Sequence, residues 1–209
     1  EASGNASTAM GYNTEASGYY STAMGHATEA SGDNSTAMGY NIDATGDYST
    51  AMGYNTEASG NASTAMGYNT EASGTYSTAM GYSTDATGYA STAMGRYNIG
   101  GGDATTWVAT DPLFEIGNGT SSSNKSNALT VLKNGNVGIG TTTPTAKLEV
   151  RGTGSSSATN SFLVENSTGD DIFKIRDDVR IGIGTDPNTS YQLYNNVPAA
   201  STVDYAQRN

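Results

Sequence analysis

Seven methionines spaced 14 residues apart constrain this chain more than any other feature. Each closes a Ser-Thr-Ala-Met block that is followed by glycine, and a second block of an acid, Ala, Ser or Thr, and Gly alternates with it. The methionines are Met10, Met24, Met38, Met52, Met66, Met80 and Met94. A strict internal period of this kind predicts a solenoid in which each repeat is one structural coil.

Two other folds built on short repeats do not fit this period. A heptad coiled coil would place one glycine in every heptad, each destabilising the helix by about 1 kcal/mol. Collagen requires glycine at every third residue, whereas glycine recurs here every seventh residue from Gly4 to Gly95. The sequence therefore predicts an all-β solenoid with two short strands and two turns per 14-residue coil. The glycines suit the left-handed backbone of such turns.

The composition of residues 1–95, which contain no Leu, Val, Phe or Trp, excludes an ordinary core. Side chains alternate along a strand, so in Thr8-Ala9-Met10 the alanine faces away from both neighbours, and the alanine of each acidic block does the same. The two alanine columns are expected to form a thin interior. A column of methionines facing water would be an apolar patch, so three chains are expected to bury their Met faces around a common axis.

The alternating blocks, with Ser7 to Gly11 followed by Thr14-Glu-Ala-Ser-Gly18, resemble the Ser-Val-Ala-Ile-Gly head repeat of YadA-like trimeric adhesins. The resemblance covers about residues 1–99. It implies a left-handed parallel β-roll that is homotrimeric, with Thr and Met where the family packs Val and Ile between chains. All seven methionines are then trimer-interface residues.

The repeat is expected to lose its register after Arg96. One extra residue there would shift residues 97–99 relative to the earlier Tyr40-Asn41-Ile42. Ordinary hydrophobic residues then appear, and they predict a small packed collar or connector over residues 100–127. Trp107 is interpreted as a core residue of this collar rather than as a sugar-stacking platform.

Residues 128–209 are expected to form a β-rich shaft containing two related segments, 129–150 and 173–195. In the first segment two strand-like runs flank Asn134-Gly135, which is a strong hairpin signal. Pro144 and Pro187 follow the two runs at related positions.

The run Asn134-Gly-Asn-Val-Gly-Ile-Gly-Thr-Thr-x-Pro144 resembles segments of tail fibres from phages and phage-like injection systems, and of large bacterial surface proteins. The resemblance covers about residues 113–195 and implies a trimeric, hairpin-rich shaft. In such fibres a C-terminal chaperone that drives trimerisation commonly follows. We expect that this segment, like a YadA-type membrane anchor, was removed, truncated or never encoded.

Charge and residue usage disfavour several classes of function. The chain has 20 acidic residues against nine Lys and Arg, which makes nucleic acid and anionic membranes poor partners. It has no Cys and no apolar run long enough for a membrane helix, so neither disulfides nor membrane insertion are expected. The single histidine, His26, stands where other coils have Tyr, which favours a substituted turn residue over a catalytic one.

An acidic column is the strongest remaining candidate for chemistry. Stacked coils would hold its carboxylates about 5 Å apart, a spacing compatible with glycosidase acid pairs or with calcium ligands. A uniform column has no pocket to distinguish acid from base, so a solvated face is favoured and cation binding stays open. The column is Glu1, Glu15, Glu29, Asp43, Glu57, Glu71 and Asp85. We therefore predict no catalytic, cofactor-binding or metal-binding residue, and no enzyme.

Tyrosines at the turns carry the functional expectation, because exposed Tyr suits contact with glycans or proteins. The alternative is that stacked tyrosines only stabilise the solenoid edge. The candidate receptor contacts are Tyr12, Tyr19, Tyr20, Tyr40, Tyr48, Tyr54, Tyr68, Tyr76, Tyr82 and Tyr89.

The sequence as a whole predicts a structural and adhesive trimeric fibre outside a cell, binding a cell-surface glycan or protein receptor. It would be a receptor-binding tail fibre of a phage or contractile injection system, with baseplate or other fibre proteins as partners, or a bacterial surface adhesin. It would thus belong to a virion or to a cell-surface appendage. The alternative is an ice-binding β-solenoid, since flat threonine arrays can order water. Its candidate columns are Thr8 to Thr92 and Thr14, Thr28, Thr56, Thr70 and Thr84.

Overall fold

The structure is a computed structural model that describes residues 1–152, 154, 160–169, 171–176 and 181–183. Every regular element in these residues is a β-strand. The strands are β1 Thr8–Tyr12, β2 Glu15–Ala16, β3 Thr22–Ala30, β4 Thr36–Ala44, β5 Thr50–Ala58, β6 Thr64–Tyr68, β7 Glu71–Ala72, β8 Thr78–Tyr82, β9 Asp85–Ala86, β10 Thr92–Arg96, β11 Pro112–Asn118, β12 Asn127–Leu132, β13 Val137–Ile139, β14 Leu148–Val150, β15 Asn160–Glu165, β16 Asp171–Arg176 and β17 Ile181–Ile183. The chain divides into two compact units, Glu1–Arg151 and Gly152–Asn209.

The first unit is built on a 14-stranded sheet of stacked coils. Strands β1, β3, β4, β5, β6, β8 and β10 follow one another in parallel, and each residue pairs with the one 14 positions later, as Met24 does with Met38. The acidic blocks pair in the same way, for example Glu29 with Asp43. In β3, β4 and β5 both blocks lie on one nine-residue strand. The all-β solenoid of 14-residue coils is therefore confirmed.

The interior of the solenoid consists of small side chains. Both alanine columns lie inside, with Ala16 through Ala79 fully buried, as the alternation predicted. Two polar columns that sequence reasoning missed are buried beside them: the serines Ser21, Ser35, Ser49, Ser63, Ser77 and Ser91, and the threonines Thr14, Thr28, Thr56, Thr70 and Thr84. Ile42 replaces threonine in one coil and is also fully buried. An interior this thin needs no Leu or Phe.

Positive φ occurs at one glycine column and also at residues of other types. From Gly11 to Gly95 the glycines of one column have φ between 92° and 134°, which confirms for them that glycine supplies backbone unfavourable to other residues. At the turn that follows these glycines φ lies between 46° and 54° at Asn13, Ala27, Asn41, Asn55, Asn69, Ser83 and Tyr97. At the other turn φ lies between 53° and 61° at Ala6, Tyr20, Asn34, Tyr48, Ala62, Tyr76 and Ala90, where no glycine was needed. The glycines of the column Gly4 to Gly88 are needed because adjacent backbones approach closely: a Cβ on Gly60 would lie 2.1 Å from the carbonyl oxygen of Gly74.

The expected extra residue after Arg96 was also wrong. Arg96 pairs with Tyr82, which keeps the 14-residue register. Tyr97 continues the left-handed series of Asn13, with φ at 46°. Asn98 then enters the buried threonine column, fully buried and bonded through its Oδ1 to the backbone N–H of Asp85 at 2.7 Å. The repeat period thus runs unbroken through residue 98.

Strands β11 to β14 continue the sheet beyond the last repeat. β11 pairs in parallel with β10, placing Glu115 opposite Ala93 and Ile116 opposite Met94. β12 is antiparallel to β11, β13 is antiparallel to β12, and β14 is parallel to β13. The turn between β12 and β13 contains Asn134-Gly135, with φ at 80° for Gly135. The 14-stranded sheet contains strands from both sides of the expected domain boundaries at 99/100 and 127/128. The division of this unit into separate domains at those positions stays a prediction.

The second unit contains β15, β16 and β17 in an antiparallel sheet. Its β16 and β17 pair as Phe173 with Ile183 and Ile175 with Ile181, which repeats the register of β12 and β13 about 44 residues later. Pro187 and the end of the segment 173–195 lie outside the described residues, and a trimeric shaft stays a prediction. In the described part of the chain, no helix is long and apolar enough to cross a membrane.

Candidate functional site

One outer face of the solenoid presents the threonine and methionine columns. Ala9 and its equivalents point inward, so their neighbours Thr8 and Met10 point outward, as predicted. Within a single chain the methionines from Met24 to Met94 are half-buried by their neighbours along the column, and Met10 at the first coil is 62% exposed. This Met face contains only Thr and Met. Its use as a trimer interface stays a prediction.

The second threonine column cannot act as an ice-binding surface. Thr14 is 6% exposed, and Thr28, Thr56, Thr70 and Thr84 are at most 2% exposed, because they point into the solenoid. A buried hydroxyl cannot order water at an ice surface. The remaining column, Thr8 to Thr92, alternates with methionine rather than forming a threonine array. The ice-binding alternative therefore loses one of the two threonine columns that motivated it.

The acidic column lies on the face opposite the Met face, and consecutive carboxyl residues pair in register, as Asp43 does with Glu57. Partial burial raises the pKa of Asp43 above its usual value, and the negative charges of Glu29 and Glu57 raise it further. Asp85 forms an ion pair with Lys125. Within the described residues, no three His, Cys, Asp or Glu side chains converge into a group that could hold a metal ion. This arrangement fits a solvated acidic face.

The first turn carries a continuous aromatic ladder. Its rings stack with centroids 4.7 to 5.1 Å apart and planes within 22°, through Tyr12, His26, Tyr40, Tyr54, Tyr68 and Tyr82. The neighbouring asparagines form a second ladder, in which the Nδ2 of Asn41 donates to the Oδ1 of Asn55 at 2.7 Å. Inside the ladder each ring face is covered by the next ring, so it offers edges and hydroxyls to solvent. His26 serves as one ring of this stack.

The second turn presents tyrosines that are not stacked on one another along the column. Tyr19, Tyr20, Tyr48 and Tyr76 are 56% to 67% exposed, whereas Tyr89 is half-buried and meets Tyr76 edge-on at 5.5 Å. Tyr20, Tyr48 and Tyr76 have left-handed backbone, which is uncommon for bulky residues. They recur in every second coil, roughly 9.6 Å apart for coils stacked about 4.8 Å apart. The tyrosines predicted as receptor contacts thus fall into two groups. Those of the first turn stack on one another, and most of those of the second turn have exposed rings.

A buried carboxylate closes the end of the solenoid, and sequence reasoning missed it. Glu115 occupies the register of an interior alanine and is 3% exposed. Its carboxylate accepts hydrogen bonds from the Nδ2 atoms of Asn98 and Asn127, both at 2.6 Å, and from the N–H of Gly100 at 3.1 Å. The signal was present, because Phe114-Glu-Ile-Gly-Asn118 has the same alternation and glycine position as Thr-Ala-Met-Gly-Tyr.

Trp107 does not lie in a collar core. Its side chain is 54% exposed, and the Nζ of Lys133 lies 5.4 Å from its ring centroid. The lysine side chain is itself buried and lies 3.8 Å from the carboxylate of Asp111. The expectation of a core tryptophan was wrong for the single chain, because the loop before β11 lies at the surface.

Comparison with known families supports the interpretation of the 14-residue coils as head repeats. The YadA head domain repeat matches residues 2–28, 16–41, 44–70 and 72–98. No curated protein matches the chain significantly. In the YadA-like family such heads form homotrimers and the adhesins are located at the cell surface. Residues 2–98 of this chain therefore consist of YadA-type head repeats, which coincide with the coils described above.

Proposed function

We propose that this chain is a structural and adhesive fibre in which three copies pack their Met faces around a common axis. The observation that carries the proposal is the Met face itself: a single surface of Thr and Met, repeated in register from Met10 to Met94 and free of charged side chains. Supporting it is the homotrimeric state of heads in the YadA-like family. The opposite, acidic face would remain in water and keep the fibre soluble.

The size of the Met face bounds how strongly the head alone can associate. Full burial of a methionine side chain contributes about 1.5 to 3 kcal/mol, and side chains already half-buried would contribute about 1 kcal/mol each. Six half-buried methionines and the more exposed Met10 together give roughly 7 kcal/mol per chain, against an association cost of about 4 to 15 kcal/mol for each chain that joins. The head interface is thus marginal by itself.

For receptor contact, the second turn is better suited than the first. The first-turn ladder has its ring faces covered by neighbouring rings, so its tyrosines serve mainly to hold the coils together. Tyr20, Tyr48 and Tyr76 keep exposed rings on a backbone conformation that is disfavoured for their type, and strained residues of this kind concentrate at functional sites. Repetition over coils and over three chains would make weak contacts multivalent.

Binding assays on matched variants test the adhesive part. We expect Tyr48→Asn with Tyr76→Asn to lower binding of the labelled protein to a panel of immobilised cell-surface glycans and to whole cells by about tenfold or more. Asn is favoured in left-handed backbone, so the fold should not lose stability. The matched control is Tyr54→Asn with Tyr68→Asn in the ladder, which should keep binding but unfold earlier. Native-like binding by the first pair would rule out the second turn as the contact surface.

The carrier of the fibre is proposed to be a phage or phage-like contractile injection system, with a bacterial surface adhesin as the other possibility. Support comes from the repeated hairpin segments around Asn134 and in β16 and β17, which resemble tail-fibre segments. Immuno-electron microscopy with an antibody against the head tests this. Label at the tips of tail or injection particles supports the tail fibre, with baseplate or other fibre proteins as partners. Label on the cell envelope alone contradicts it.

A further inference from the structure

The apolar face does not end with the last methionine. Beyond Met94, two columns of strand residues continue on the same side of the sheet, one in register with the methionines and one in register with the threonines. The methionine column continues as Ile116, Leu129, Ile139 and Val150, and the threonine column as Phe114, Val131, Val137 and Leu148. All eight residues of this cap stripe are apolar, whereas the head alternates Met with the polar Thr.

The two faces of β11 to β14 are strongly unequal. On the inner face, in register with Ala93, Glu115 is 3% exposed, and Thr130 is fully buried. On the outer face, Ile139 is 45% and Leu148 is 57% exposed, although both are large and apolar. The other six members of the cap stripe are half-buried. Within a single chain the inner face is covered and the cap stripe is open.

The apolar part of the combined surface is as large as the larger patches that soluble monomers expose. It consists of the methionine column over the seven head strands and of both columns over strands β11 to β14. At about 4.8 Å per strand and about 6.8 Å between alternate residues, these columns measure roughly 500 Å². The largest apolar patch of a typical monomer is about 300 to 600 Å² and often marks an interaction site. A patch of this size is expected to bind a partner.

We propose that second and third copies of this chain cover the cap stripe, so that the trimer interface runs from Met10 to Val150 and is strongest in the cap. The inference rests on the proposed function, since the occupant is identified by continuity with the Met face and the homotrimeric state of the family's heads. In the cap stripe, branched and aromatic side chains stand where the head coils have threonine, so each strand there buries more apolar surface than a head coil. Burial of the cap stripe therefore adds the association free energy that the head alone lacks.

Charge substitutions in the whole chain test this. Ile139→Glu with Leu148→Glu places six carboxylates at the axis of a trimer, while both positions are open in the single chain, so each subunit should still fold. We expect the concentration at which the trimer dissociates, followed by light scattering on dilution, to rise at least tenfold. Ile99→Glu is the matched control, because Ile99 is 44% exposed but continues the acidic column and lies off the Met face. It should dissociate like the native chain.

A second measurement covers the case in which the variants fail to fold. The chain has no cysteine, so Leu148→Cys and Ile99→Cys each introduce a single reactive thiol. Maleimide labelling of Leu148→Cys should slow at least tenfold when protein concentration rises into the trimer range, and Ile99→Cys should label at one rate throughout. A native trimer in which Leu148→Cys labels freely and the double Glu variant stays associated overturns the cap interface but leaves the proposed function standing. A native chain that is monomeric overturns both.

Discussion

The glycine column from Gly4 to Gly88 sets how closely the coils can stack, and substituting one member gives a sharp prediction. Gly60 lies in the middle of the solenoid, and a Cβ there would lie 2.1 Å from the carbonyl oxygen and 2.6 Å from the carbonyl carbon of Gly74. Both atoms are backbone, so no side chain can move aside. Gly60→Ala must therefore push two coils apart by about 1 Å or more, since atoms in contact pack about 3.5 to 4.0 Å apart.

The magnitude follows from the bonds that hold the two coils together at this point. The N–H groups of Ser59 and Gly60 donate to the carbonyl of Ala72 at 3.2 and 3.1 Å. Weakening both would remove about 2 kcal/mol, and the overpacking itself adds about 1 to 3 kcal/mol. We expect Gly60→Ala to lower the free energy of unfolding by about 3 to 5 kcal/mol. Circular dichroism during denaturant unfolding, at one fixed protein concentration, measures it.

The matched control is Gly88→Ala, at the last position of the same column. There the nearest atom to the added Cβ would be the carbonyl oxygen of Gly101 at 3.0 Å, in a three-glycine segment that can shift by a few tenths of an ångström. Alanine also restricts the unfolded chain, which offsets the tight contact by about 0.4 to 1 kcal/mol. Gly88→Ala should thus remain within about 1 kcal/mol of the native protein. Equal stability of the two variants would refute the close-approach reasoning.

Three further predictions concern polar groups that are buried or partly buried. Thr56→Val should stabilise the head by about 1 kcal/mol in denaturant unfolding, because the buried Thr56 hydroxyl has no hydrogen-bond partner among the described residues; a loss of stability would contradict this. Glu115→Gln should destabilise by about 2 to 3 kcal/mol, because its NH₂ group would face N–H groups that now donate to the carboxylate; an unchanged unfolding midpoint would contradict this role of Glu115. The raised pKa of Asp43 disfavours folding above that pKa, so Asp43→Asn should raise the melting temperature at pH 7. That gain should shrink as pH falls through the folded pKa toward the ordinary value of 3.8, and a gain independent of pH would contradict the cause assigned to it.

The architecture of the head followed from the sequence because two periods coincide in it. The 14-residue repeat defines the coil, and the alternation of Ala with larger neighbours defines which side chains point inward. Those two facts placed the alanines inside and the Met face outside. The buried threonines and serines were not predicted, because a polar residue in a repeat of polar composition gives no sign of burial. Whether such a threonine or serine is buried depends on its position relative to the turns.

The turns show where sequence reasoning fails for a physical reason. Glycine is the residue expected in positive-φ backbone, yet such backbone also falls on Asn13 and Tyr20 and their equivalents. Hydrogen bonds between coils enforce it at the second turn: the N–H of Tyr20 donates to the carbonyl of Asn5 at 2.9 Å, and the same bond recurs up the column. Of the two glycine columns, only Gly11 to Gly95 has positive φ, whereas Gly4 to Gly88 serves the close approach of adjacent backbones. Sequence alone could not distinguish the two demands.

The continuation of the Met face beyond the last repeat was not predicted, because it is not part of the repeat. Residues 97–111 separate β10 from β11, so the in-register pairing of Met94 with Ile116 has no periodic signal. For the same reason the candidate interface was placed only on the seven methionines. Among the tyrosines, the sequence could list candidates but not show that those of the first turn cover one another's ring faces, since that depends on ring orientation.

The molar mass of the native chain in solution, measured by light scattering over a range of concentrations, shows whether three copies associate. We expect three times the mass of one chain, because the Met face and its continuation need two further copies to be covered. The mass of a single chain at concentrations well above those of the binding assays would contradict it.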